Sequence, residues 1–208
     1  MSSRLPARFL KKCPKEEMET LPIRKFEGPV RLVLKDDQVP AALEEMTAER
    51  VLGFDTETKP VFRRGQSNPP ALMQFAGEEK VWLFHLAVLQ EPALLVPILS
   101  NGKILKAGVA IGQDVKQLKM LFDYQEAAFL DLGEVARDIG MAASGLRTMA
   151  ASLFGCRISK RARCSNWAKN KLEPYQIDYA ATDAWMSREI FLFFKKHGVL
   201  GKDGRPVR

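Results

Sequence analysis

Two pairs of side chains have the types and spacing to act together. Tyr179 and Asp183 bracket an alanine-rich stretch, Tyr179-Ala-Ala-Thr-Asp183. Residues four apart on a helix share one face, so a phenol and a carboxylate stand side by side there. Asp55 and Glu57 close the apolar run Val51-Leu-Gly-Phe54, and positions two apart on a strand point the same way, so these carboxylates also share a face. A further acid, Asp114, opens the helical run from Asp114 to Phe122, directly after the strand-like Lys103 to Ala110. Carboxylates brought together at the ends of elements repel one another unless a cation lies between them. The chemistry they imply is that of a hard divalent metal, Mg²⁺ or Mn²⁺, which takes oxygen ligands rather than histidine or cysteine.

In this order and spacing, Asp55-x-Glu57, Asp114 within Gly112-Gln-Asp-Val-Lys-Gln-Leu118, and Tyr179-x-x-x-Asp183 resemble the three motifs of the DEDDy 3′–5′ exonucleases. That family includes ribonuclease D and the Werner-syndrome exonuclease domain. The resemblance runs over roughly residues 28 to 197 and is most specific at Phe54–Pro60 and Gln176–Ala184. It implies an α/β, ribonuclease-H-like fold: a mixed five-stranded sheet, its first three strands antiparallel, flanked by helices. It also implies hydrolysis of phosphodiesters at 3′ ends with release of nucleoside 5′-monophosphates. The resemblance gives Asp55, Glu57 and Asp183 the metal that activates water, with Asp55 bridging to a second metal that Asp114 supports. Two ions suit an ester that is already anionic, since one lowers the pKa of the attacking water and the other stabilises the leaving oxygen. Tyr179 would orient the water. A sister branch has histidine five residues before the last aspartate; here that place is Asp178, and His85 and His197 lie outside the motif.

Each motif alone has a bland explanation. A tyrosine with its ring packed and its hydroxyl at the surface, a solvated strand end, and an aspartate in a helix's first turn are all common. Their combination favours the functional reading. Asp131, Asp138 and Asp178 lack a partner at useful spacing and are read as structural or solvated.

The formal charge of +7 favours a polyanionic partner without requiring one. The substrates expected are single-stranded or 3′-recessed DNA, slightly favoured, or RNA trimmed in the manner of ribonuclease D. A catalytically weak nucleic-acid-binding module is the remaining alternative. The basic stretch Arg157 to Arg163, followed by Lys169, is a candidate strand-binding face, with Lys160, Arg161, Arg163 and Lys169 as phosphate contacts. Phe62, Arg63 and Arg64 form a second candidate, while Trp167 is read as a core anchor.

At 208 residues, 46% of them hydrophobic, the chain suits one domain. Residues 1–27 read as an arm that lies on that domain or stays mobile, and residues 28–208 as the domain itself. Cys13, Cys156 and Cys164 have no metal-site spacing, which fits a reducing, cytoplasmic setting. The opening residues lack the apolar core of a secretory leader, and the expectation is a monomer with no membrane span and no small-molecule cofactor. The elements that must position the acids are strands at Val30–Leu34, Val51–Thr56, Ala71–Ala76, Lys80–Phe84, Lys103–Gly108 and Ala127–Asp131. Helices are expected at Pro40–Ala48, Leu86–Leu99, Asp114–Phe122, Leu132–Ile139, Leu146–Phe154 and Pro174–Lys196.

Overall fold

A computed structural model describes residues 5–61 and 67–207. The chain begins with two short helices, α1 (Ala7–Leu10) and α2 (Lys15–Thr20), then β1 (Val30–Val33), α3 (Val39–Met46), β2 (Val51–Thr58), β3 (Pro70–Ala76) and β4 (Val81–Phe84). It continues through α4 (Val96–Leu99), β5 (Leu105–Gly108), α5 (Gly112–Leu118), β6 (Phe129–Asp131), α6 (Leu132–Asp138), α7 (Leu146–Phe154) and the long α8 (Pro174–Lys196).

The strands form one mixed sheet in the order β1-β4-β3-β2-β5-β6. Strand β3 runs antiparallel to both β2 and β4, while β5 runs parallel to β2, β6 parallel to β5 and β1 parallel to β4. The antiparallel trio is therefore present, and the sheet has six strands, one for each strand-like stretch of the sequence, where the family resemblance implies five; the edge strand β1 lies beside β4. Helix 86–99 is also corrected. Only a 3₁₀ turn at Pro92–Leu95 and the single turn of α4 form there, each with a proline in its first turn. Proline has no N–H to give and suits only a helix's first turn, so two of them start two short helices rather than kink one long helix.

Strand β2 is covered on both faces, which is why it reads as an apolar run. Leu52 and Phe54 pack into a core shared with α3, α4 and α5. The opposite face meets α8, and there Gly53 matters: a Cβ on it would lie 1.9 Å from the Ala184 carbonyl oxygen. Ala180, Ala181 and Ala184 present equally small side chains from the helix, and all are buried. Small residues on both sides let the backbones of α8 and β2 approach closely. Helix α8 starts with Pro174 after a capping box, in which the Glu173 N–H donates to Gln176 Oε1 at 3.1 Å.

The stretch ahead of β1 packs against the rest of the chain at several points. Leu5 is buried, and the Phe9 ring meets Phe193 edge-on at 5.1 Å between centroids. Further along, Ile23 pairs with Arg157 in a parallel bridge. The Arg24 N–H donates to the Arg157 carbonyl, the Arg157 N–H to Pro22 and the Arg157 Nε to Leu21, each at 2.9 Å. Among the described residues, no helix is long and apolar enough to cross a membrane.

Candidate active site

Because α8 crosses β2 closely, its first half delivers Tyr179 and Asp183 over the end of the strand that carries Asp55 and Glu57. One carboxylate oxygen from each of Asp55, Glu57 and Asp183 lies within 4.8 Å of the others. Asp183 is buried, and its Oδ1 has no hydrogen-bond partner among the described residues. Three oxygen-bearing acids at this range, one with an orphaned buried oxygen, fit a hard divalent cation in both donor type and charge.

Electrostatics point the same way. Burial, followed by the charges of Asp183 and Asp114, holds the Asp55 carboxyl well above the usual carboxylate range. Burial, then Asp55, Asp183 and Asp114, pushes Glu57 up to about 10. Burial raises Asp183 to about 7, although a hydrogen bond from Tyr179 and the charge of Arg147 pull the other way. Carboxyls so reluctant to ionise need a counter-charge to do so.

Asp114 stands beside this trio rather than within it. Its Oδ1 accepts from the Thr56 hydroxyl. Thr56 lies between the two acids of β2 and points to the other face, so it ties the fourth carboxylate to the strand without turning it into the cluster. Burial raises Asp114, and the Thr56 hydrogen bond offsets part of the rise. Tyr179 is nearly buried, its ring 6.0 Å from that of Trp167. Burial, then Asp183 and Glu57, keeps its phenol protonated far above the ordinary range.

Trp167 is fully buried, and its carbonyl lies 3.1 Å from His85 Nε2, in keeping with its reading as a core anchor. Asp131 caps α6, its Oδ1 accepting from Gly133 at 2.8 Å and from Ala110 at 3.0 Å, and Asp178 pairs with Lys25 at 3.4 Å. Neither belongs to the acid cluster. Of the basic residues expected to hold a strand, Lys160, Arg161 and Arg163 are exposed. Lys169 is engaged by Glu173, the residue that caps α8, at 3.0 Å. Arg161 lies over the Tyr175 ring at 4.6 Å. Phe62, Arg63 and Arg64 lie outside the described residues.

Nothing in the sequence marks Arg147. It comes from the first turn of α7, bonds the Ile158 carbonyl through Nε at 3.4 Å, and places its charge against Tyr179 and Asp183. A lone arginine on an amphipathic helix has no spaced partner to single it out; only the packing of α7 on α8 does.

Comparison with known proteins matches residues 30–198 to the family model described as 3′-5′ exonuclease. The mouse bifunctional 3′-5′ exonuclease/ATP-dependent helicase WRN is 34% identical over 157 residues, covering 73% of this chain and 11% of that protein. Ribonuclease D of Gluconacetobacter diazotrophicus is 29% identical over 184 residues, covering 86% of this chain and 45% of the relative. The chain thus spans less than half the length of these relatives. The crystal structure of the Aedes aegypti Nibbler EXO domain superposes with a TM-score of 0.73 at 25% identity, covering 85% of this chain and 91% of that one. On the match to its model, which takes in every residue of the acid cluster, this chain belongs to the 3′-5′ exonuclease family.

Proposed function

We propose that the chain is a metal-dependent 3′-5′ exonuclease that hydrolyses the terminal phosphodiester of a nucleic acid and releases nucleoside 5′-monophosphates. The observation that carries this reading is the convergence of Asp55, Glu57 and Asp183, from a strand and a helix far apart in sequence, beside the hydroxyl of Tyr179. Two divalent ions, Mg²⁺ or Mn²⁺, when bound, lower the pKa of the attacking water and neutralise charge on the ester and its leaving oxygen. Asp55, Glu57 and Asp183 would hold the ion that activates water, and Asp114, fixed by Thr56, would support the second. Tyr179, protonated throughout, orients the attacking water by hydrogen bonding. Arg147 adds a fixed positive charge beside Tyr179 and Asp183, where the anionic ester must lie.

DNA ends, single-stranded or recessed, are the leading substrate, and RNA ends are the alternative that the ribonuclease D relative supports. The reading has the protein act as a monomer in a reducing, cytoplasmic setting. Degradation of matched 5′-labelled DNA and RNA oligonucleotides with Mg²⁺ or Mn²⁺ tests it. A ladder shortening one nucleotide at a time from the 3′ end is expected, abolished by EDTA or by Asp55→Ala in a protein that still melts cooperatively. Hydrolysis that survives either treatment overturns the proposal.

A further inference from the structure

Two cavities open along the N-terminal arm, which precedes the stretch matched to the family model. The first, of about 170 Å³, is walled by Arg24 and Lys25 of the arm, by Arg161, and by Tyr175, Tyr179 and Asp183 of α8. It is therefore continuous with the candidate active site. The second, of about 440 Å³, is walled by Lys12, Lys15 and Met18 of the arm, by Thr148 of α7, and by Lys160. Lys160 and Arg161 are consecutive residues that face different cavities. Thr148 likewise follows Arg147, which sits beside Tyr179 and Asp183. The same two pieces of chain, the arm and the 157–161 segment, thus wall both spaces, and they are held to each other by the backbone bonds between Pro22–Arg24 and Arg157.

We infer that the arm completes the strand-binding face of the exonuclease. A single-stranded 3′ tail runs past Lys12, Lys15 and Lys160 and ends in the cavity of Arg24, Lys25 and Arg161 against Tyr179 and Asp183. This inference rests on the exonuclease reading and adds to it a substrate track to which Lys12, Lys15, Arg24 and Lys25, residues outside the matched stretch, contribute. The chemistry suits a single strand. Among the described residues, no acid lines the larger cavity, whose lysines stand around the apolar surface of Pro14 and Met18. In the smaller one, Tyr175 offers a ring with a guanidinium already over it. Cations that follow phosphates beside apolar and aromatic surfaces that accept bases are the ordinary means of holding single strands without sequence preference. Asp178, on the rim, occupies Lys25 at 3.4 Å, an exposed pair that an incoming phosphate can replace at little cost.

The test uses the full chain carrying Lys12→Ala and Lys15→Ala together, which leaves the cavity beside Tyr179 and Asp183 intact. Both side chains are exposed, so the melting temperature is expected to hold. The substrates are a single-stranded oligonucleotide and the nitrophenyl ester of thymidine 5′-monophosphate, which is too short to reach Lys12 and Lys15. Oligonucleotide kcat/KM is expected to fall about fivefold or more, mostly through KM. The slope of its logarithm against log salt should become shallower by roughly 1.4, at about 0.7 for each phosphate that a lysine no longer neutralises. Ester hydrolysis should be unchanged. A control with Lys195→Ala and Lys196→Ala removes equal charge elsewhere and should leave both measures near wild type. Should the double variant prove unstable, Lys15→Glu alone is expected to give the same pattern, a KM increase and a shallower slope. An unchanged oligonucleotide KM and slope, or an equal loss on the ester, overturns the arm's role while leaving the exonuclease reading standing. A wild-type protein inert on both substrates overturns the exonuclease reading itself.

Discussion

Tyr179 is held at both ends, by the Trp167 ring against its own and by Asp183 at its hydroxyl. Tyr179→Phe keeps the first contact and deletes the second. If the hydroxyl only satisfied a buried acid, the change would cost about 1 kcal/mol of stability and little activity. If it orients the attacking water, kcat should fall by about 10² or more with KM nearly unchanged and the melting curve hardly moved, which steady-state kinetics beside a thermal melt will separate. At this scale, much of the site is legible in the sequence because it is written in residue type and local spacing: Asp55 and Glu57 alternate on a strand, and Tyr179 and Asp183 repeat on a helix. Two features are not legible. Arg147 reaches the site through helix packing alone. The bond from Thr56 to Asp114 joins residues 58 positions apart in the chain, and strand alternation gives no sign of it beyond turning Thr56 away from its neighbours.

Helix α8 and strand β2 make the site as a pair, and their separation is set by what is missing from Gly53. Gly53→Ala would place a Cβ 1.9 Å from the Ala184 carbonyl oxygen and 2.9 Å from the Arg188 nitrogen, both backbone atoms of α8. Relief requires the helix to move off the strand, carrying Asp183 away from Asp55. The expected result is a loss of about 1–3 kcal/mol together with a disproportionate loss of hydrolysis, read by denaturant unfolding and oligonucleotide assay. Gly112→Ala is the matched control, since nothing lies within 4 Å of its Cβ. It should be neutral or stabilise α5 by about 0.5–1 kcal/mol. Equal behaviour of the two variants would mean that close packing on β2 does not govern the site. The bounds of α7 and α8 are legible because each has a clear stop or start: Gly155 ends α7 in the left-handed region at φ 60°, and Pro174 opens α8. The 86–99 segment is not, since its apolar spacing suits a helix while the two prolines divide it.

For the molecule as a whole, the crowding of acids bears on global stability, with a definite sign. Unfolded, Glu57 and Asp183 ionise near their ordinary values of 4.5 and 3.8; folded and without a cation they hold their protons to about 10 and about 7. Below the unfolded values both states are protonated and the site costs nothing. As pH rises through the interval from about 4 to about 7, the folded protein binds more protons than the unfolded chain, so stability falls, and Glu57 extends the fall toward about 10. A divalent cation favours the ionised carboxylates and should cancel the fall, so the stabilisation it gives must grow with pH. Melting temperatures in EDTA and in Mn²⁺ between pH 5 and 8 will show this, and the same series on Asp183→Asn ties it to the cluster, because that change removes one of its acids and eases the ionisation of Asp55 and Glu57 while groups outside the cluster titrate alike in both proteins. The variant is expected to melt above the wild type in EDTA at pH 8, to converge with it toward pH 5, and to gain less from Mn²⁺. A wild-type increment from Mn²⁺ that is flat across this range, or that Asp183→Asn leaves untouched, would show that the three acids do not share an ion.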